Sequence, residues 1–258
     1  MSKPPLLVTI AVSHYCEKAR WALDRLNTPY TEEAHAPMLH WLQTYRRGGG
    51  RTVPMLVTDE RTIADSSDIL RYLDESAPAA LRLYPDDPAA LREVLEWEEL
   101  FDNELGPPVR RWAYSWLLDH PQLFLQIFAP RMSATEQRAT RILSPVIRAA
   151  LRRAFKISAT SRERSLAKAG KILARVDAAL ADGRRYLVAD RFSAADLTLA
   201  SLAAVVIAPP EYGSFLPAIA DLPAVVAGDV QALRDTPAGR FVRRIYTEHR
   251  RQPTTNNK

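Results

Sequence analysis

The sequence holds one cysteine, Cys16, among 258 residues. A single thiol excludes an internal disulfide and any cysteine-built zinc or iron–sulfur centre, and it points to a reducing compartment. No apolar run reaches the ~20 residues of a membrane-spanning helix. The run at 6–12 is too short for a secretory core, and Glu17, Lys18 and Arg20 follow it where a small-residue cleavage site would stand. Glycine is also scarce. Gly48-Gly49-Gly50 precedes a proline-initiated strand with no helix after it, so it is neither a phosphate loop nor a dinucleotide fingerprint. These absences lead to the expectation of a soluble, cytoplasmic, globular protein. Apolar residues are plentiful at 47%, enough for a sizeable core in one large domain or two small ones.

The net charge of +5 is unevenly spread. Residues 1–88 carry ten Lys/Arg against twelve Asp/Glu, and the remainder carries twenty-five against eighteen. Within 131–175 there are twelve basic residues, mostly Arg, and two acids, Glu136 and Glu163. Such a stretch is either an anion-attracting surface or a set of solvated helix faces. No helix-turn-helix pattern, aromatic-rich strand or Cys/His finger accompanies it, so solvated faces are expected and nucleic acid is not an expected partner.

The first eighty residues alternate strand and helix signals. Short β-rich runs at 6–12, 30–34, 54–58 and 62–64 read as strands. Helical spacing at 15–26, 38–45 and 66–75 gives the order βαβαββα, a compact α/β unit. Pro78, Pro85 and Pro88 mark a linker, which divides the chain into a domain at 1–80 and an all-helical domain at 89–250. Helices are predicted at 89–118, interrupted by Pro107-Pro108, and at 134–156, 161–182, 193–207 and 222–247. The polar tail 252–258 is expected to fray.

Four local patterns carry chemistry or capping. Ser13-His14-Tyr15-Cys16 lies where the first strand hands over to the first helix. A helix N-terminus stabilises an anion, and Ser13 is its natural cap, with a hydroxyl that can also donate outward to a thiolate or phosphate. Cys16 in the same turn is either a reactive thiol or a small buried residue. A zinc site from Cys16, His14, His35 and His40 lacks ligand spacing. Thr52-Val53-Pro54-Met55 precedes the third strand; a cis Val53–Pro54 bond there would turn Val53's backbone groups toward an added peptide strand. Asp65-Ser66 precedes the third helix, where Ser66 can cap and Asp65 can pair an ammonium. Ser193 and Asp196 form a capping box, with Phe192 and Leu197 at the staple positions.

In this order these landmarks resemble the soluble glutathione transferases, serine-type and bacterial-like, over about residues 1–250. The resemblance implies a thioredoxin-like N-terminal domain followed by an all-helical domain, with glutathione as co-substrate and no metal. Ser13 would hydrogen-bond the glutathione sulfur and favour its thiolate. Val53, before a cis Pro54, would pair with the cysteinyl part, and Asp65 and Ser66 would hold the γ-glutamyl end. His40 and Arg51, with Gln43 behind them, are the candidates for the glycyl carboxylate. Arg111, Trp112 and Tyr114 would line the electrophile site, and Arg110 or Arg111 would favour an acidic or carbonyl substrate. A homodimer is implied as well. Two other functions stay open at this stage: a thiol reductase or lyase working through Cys16, and a non-catalytic interaction protein that has kept the fold.

Overall fold

The computed structural model describes residues 3–250; the tail at 252–258 lies outside them. Strand β1 (Leu6–Thr9) leads through a tight turn into α1 (His14–Arg25). Strand β2 (Thr31–Ala34), α2 (His40–Arg46), β3 (Met55–Val57), β4 (Thr62–Ile63) and α3 (Ser66–Glu75) follow. This is the predicted βαβαββα order. The sheet runs β2-β1-β3-β4, with β1 parallel to β2 and β3 antiparallel to both β1 and β4. The first strand ends three residues earlier than the apolar run, because Ile10-Ala11-Val12 bends toward the helix entrance.

Beyond residue 87 the described chain is helical: α4 (Pro88–Leu100), α5 (Gly106–Leu117), α6 (Pro121–Phe128), α7 (Ala134–Ala154), α8 (Ser161–Ala179), α9 (Ala194–Ile207), α10 (Ala224–Arg234) and α11 (Pro237–His249). Three features differ from the predicted elements. Pro107-Pro108 does not break the helix; a π-helical turn at Phe101–Leu105 breaks it, and the prolines occupy the first turn of α5, where a missing N–H costs nothing. The segment 222–247 is two helices, because Thr236 caps a new start by accepting from the Gly239 amide at 3.0 Å, with Pro237 next. Helix α6 was not predicted, although Leu123, Phe124, Ile127 and Phe128 show its spacing.

Helix α9 is the axle of the core, with all but Val205 of its residues buried. Its N-terminus has the expected capping box. The Asp196 carboxylate accepts from the Ser193 amide and hydroxyl, both at 2.9 Å, and from the Leu187 amide at 2.9 Å. Helix α1 lies between α9 and α3, so the sheet-bearing part and the helical part share one apolar core. Charged side chains also cross that junction. Glu17 accepts from Arg250 at 2.8 Å and from the Gly213 amide at 3.1 Å, and Lys18 meets Glu98 at 3.0 Å. The basic stretch lies on α7 and α8, where Arg138, Arg141, Arg164, Lys168 and Arg175 are exposed.

Candidate active site

A cavity of about 520 Å³ lies where the N-terminus of α1 faces α5 and α7. Its wall on the sheet side includes Ser13, His14, Tyr15, Met38 and Val53; its wall on the helical side includes Arg110, Tyr114 and Phe155. No helix among the described residues is long and apolar enough to cross a membrane. Among them, no three His, Cys, Asp or Glu side chains cluster so as to hold a metal ion.

Ser13 is the N-cap of α1, with extended backbone at φ −68° and ψ 124°. Its Oγ accepts a long 3.4 Å bond from the Cys16 amide, which leaves the hydroxyl proton free to be donated elsewhere. Cys16 sits behind it and is fully buried. Burial pushes its thiol up to about 11, against the opposing pull of the Arg20 charge. The helix terminus therefore does not activate this thiol. Cys16 is also absent from the cavity wall.

His14 is buried beside Tyr15, their ring centroids 4.7 Å apart. Burial first, and the Arg110 charge second, push the imidazole down to about 3, so it is neutral. Its Nε2 has no hydrogen-bond partner among the described residues. The Tyr15 hydroxyl donates to the Asp102 carbonyl at 2.7 Å, and burial holds the phenol well above its usual range.

The Val53–Pro54 peptide is cis, with Val53 in the cavity wall and Pro54 buried beside β3. Asp65, not Ser66, caps α3. Its backbone is extended at φ −126°, and its Oδ1 accepts from the Ser67 amide at 2.8 Å and the Asp68 amide at 3.3 Å. The second oxygen, Oδ2, accepts no hydrogen bond from the described residues. Ser66 becomes the first residue of the helix and is buried.

His40 and Arg51 both line the cavity. The His40 Nε2 donates to the Arg51 carbonyl at 2.9 Å, burial pushes the imidazole pKa down, and Nδ1 has no hydrogen-bond partner among the described residues. The exposed Arg51 side chain lies over the Trp41 ring at 5.3 Å and donates to the Tyr45 hydroxyl. Gln43 is engaged elsewhere, accepting from Arg47 at 2.6 Å.

On the helical wall, Tyr114 stacks on Phe155 with centroids 4.9 Å apart, and burial pushes its hydroxyl up to about 12. Trp112 presents its ring to the cavity while its Nε1 donates to Asp229 at 2.9 Å. Arg111 does not line the cavity. Its guanidinium donates to the Lys156 carbonyl at 2.7 Å and to Ser161 at 3.3 Å. One residue along a helix is a turn of roughly 100°, so the stripe that carries Tyr114 includes Arg110 and not Arg111. Arg110 is the cavity's arginine. The liner Phe128 lies on α6, a helix that was not predicted, and Leu151 lies on the predicted α7, whose packing against α5 no local pattern encodes.

Residues 7–81 match the family model for the glutathione S-transferase N-terminal domain, and residues 159–227 match that for its C-terminal domain. No curated protein sequence matches. Several solved structures share the fold. A possible glutathione S-transferase from Rhodopseudomonas palustris is 19% identical with a TM-score of 0.60, covering 96% of this chain and 95% of that one. The beta-etherase LigF from Sphingobium sp. strain SYK-6 is 19% identical with a TM-score of 0.59, covering 93% and 98%. A theta class glutathione S-transferase from Xanthomonas axonopodis pv. citri, with glutathione bound, is 20% identical with a TM-score of 0.51, covering 94% and 97%. The two matched segments span more than half of the sequence, one on the sheet and one on the helices around α8 and α9, and the chain belongs to the glutathione S-transferase family.

Proposed function

We propose that this chain activates glutathione as its thiolate through the Ser13 hydroxyl and directs it at a hydrophobic electrophile that carries a carbonyl or acidic group. One observation carries the reading: Ser13 stands at the α1 N-terminus in the cavity wall, while Cys16 is buried behind it with its thiol pushed up to about 11. The free serine O–H donates to the sulfur, and the positive end of the helix dipole favours the anion. The thiol proton leaves to solvent. The thiolate then forms a C–S bond at the electrophilic carbon, and the leaving group departs with its bonding pair. The cysteinyl backbone pairs with Val53, the γ-glutamyl end meets Asp65 Oδ2 and Ser66, and the glycyl carboxylate meets the Arg51 guanidinium, while His40, whose Nε2–H donates to the Arg51 carbonyl, positions that segment. Glutathione in the Xanthomonas axonopodis relative supports this choice of co-substrate. A homodimer belongs to the same proposal, and light scattering reads it.

The test compares Ser13→Ala with Cys16→Ser in conjugation of glutathione to a chlorodinitrobenzene. Ser13→Ala is expected to lower kcat by about 10²-fold or more, with little loss of glutathione affinity, since one activating donor is removed. Cys16→Ser is expected to retain turnover. Loss of turnover in Cys16→Ser, with Ser13→Ala active, would give the chemistry to the cysteine. No heat on titrating millimolar glutathione would instead favour an interaction protein.

A further inference from the structure

The cavity has a charge its walls do not balance. Arg51, Arg110 and Arg153 line it, and none of the described residues lining it is acidic. Arg51 lies on the sheet side, over Trp41. Arg110 and Arg153 belong to α5 and α7, the opposite wall.

Arg110 is the unusual one. Its guanidinium lies between two rings, 4.9 Å from the Phe155 centroid and 5.9 Å from that of Tyr15. No described residue gives it an ion pair or a hydrogen bond, and its Nε is buried without an acceptor. A buried donor with no acceptor is expensive and therefore rare. Aromatic faces hold a guanidinium in place but accept none of its N–H bonds in the plane of the fork. Trp116, also in the wall, has a buried Nε1 without an acceptor among the described residues. Two donors on one helix thus lack partners in a cavity otherwise walled by Trp112, Tyr114, Phe128, Leu151 and Phe155. The volume falls in the usual range for a small-molecule site, ~300–1,000 Å³.

We infer that the second substrate is a flat aromatic anion, whose carboxylate or equivalent oxyanion binds Arg110 while its ring lies against the aromatic wall. Arg153, exposed at the cavity's edge, draws such an anion inward. The inference rests on the transferase reading for calling the ligand a substrate. Recognition of the anion is a separate matter, and it can be measured without turnover.

Calorimetry on the full chain compares biphenylcarboxylate with biphenylcarboxamide, which share shape and differ in charge. The carboxylate is expected to bind about tenfold tighter or more, the usual weight of a charged hydrogen bond in a shielded site. Arg110→Gln is expected to abolish that preference by weakening carboxylate binding alone. Arg110→Lys keeps the charge and stem, covers the case in which the glutamine variant does not fold, and is expected to retain part of the preference. Equal affinities in the unaltered protein, failure of both compounds to bind at millimolar concentration, or a preference that survives in Arg110→Gln would each overturn the inference. So would Arg110→Gln weakening glutathione instead of the carboxylate. A carboxylate preference in a protein that conjugates no glutathione would overturn the transferase reading and leave this one standing.

Discussion

The Lys18 ammonium on α1 lies 2.6 Å from the Ser67 hydroxyl on α3, one residue past the proposed γ-glutamyl contact. The same nitrogen meets Asp102 at 2.9 Å and Glu98 at 3.0 Å, and Ser67 donates to Asp102 at 2.7 Å. Four side chains, from α1, α3, α4 and the π-helical turn, thus converge under the cap of α3. Burial raises the Asp102 carboxyl pKa, and Lys18 pulls it back.

Lys18→Met removes the cation and leaves two carboxylates facing each other at the junction. Breaking a buried pair costs about 3–5 kcal/mol when the remaining charge is uncompensated; here Glu98 keeps Arg71 at 3.2 Å and the Tyr84 hydroxyl at 3.0 Å, and Asp102 keeps the Ser67 hydroxyl, so about 2–3 kcal/mol is expected. Urea unfolding should show a loss of that size, and glutathione affinity should fall because Ser66 and Asp65 lose their support. A loss under about 1 kcal/mol would mean that the network is solvated and does not brace the site.

Cys16 should be inert in the folded protein. With the thiol pushed up to about 11, the thiolate at about pH 8 is of order one part in a thousand, and the side chain is fully buried. Iodoacetamide is expected to leave the native protein unmodified over hours and to label it fully in denaturant, read by intact mass. Rapid native labelling would return Cys16 to the list of working groups.

Much of this was legible in the sequence, and the rest fails for identifiable reasons. The strand–helix alternation, the capping box at Ser193 and Asp196, and the Ser13 cap all follow from local rules that depend on near neighbours. Whether Asp65 or Ser66 caps α3 turns on one residue's backbone angles, which composition does not encode. Arg110 and Arg111 look alike as letters. Their separation depends on the phase of α5, and a π-turn at Phe101–Leu105 shifts that phase just upstream. The absence of an acid among the described residues that line the cavity with Arg110 is a fact about many separate helices and loops, so no window along the chain could reveal it.

His14 gives a pH dependence with a definite sign. Folded, its imidazole is pushed down to about 3 from an ordinary value near 6.5. Between those values the unfolded chain binds a proton that the folded one does not, so stability is full above about pH 6.5 and falls with acid. At about pH 5 the loss from this group is about 2 kcal/mol relative to neutral pH. Asp196, pushed up to about 6 by burial, works in the opposite direction over its own range, so the comparison needs a variant. His14→Asn should shrink the difference in unfolding free energy between about pH 7.5 and pH 5 by about 2 kcal/mol. An unchanged difference would mean that the imidazole reaches water when protonated.

Gly106 tests how closely α5 must approach α1. A Cβ built at that position would lie 2.2 Å from the Tyr15 hydroxyl oxygen and 2.7 Å from the ring carbon that bears it. That hydroxyl is held by the Asp102 carbonyl at 2.7 Å, so it cannot swing aside without breaking a bond in the π-turn. Gly106→Ala should therefore destabilise by about 1–3 kcal/mol through overpacking, read as a lowered Tm. It should also move the Tyr15 ring against Arg110, whose guanidinium lies 5.9 Å from that ring's centroid. Gly106→Ala with Tyr15→Phe removes the nearest oxygen but keeps the ring carbon at 2.7 Å, now untethered from the Asp102 carbonyl, and should recover part of the loss. If the double variant is no more stable than the single one, the ring carbon and not the hydroxyl sets the limit on the approach of the two helices.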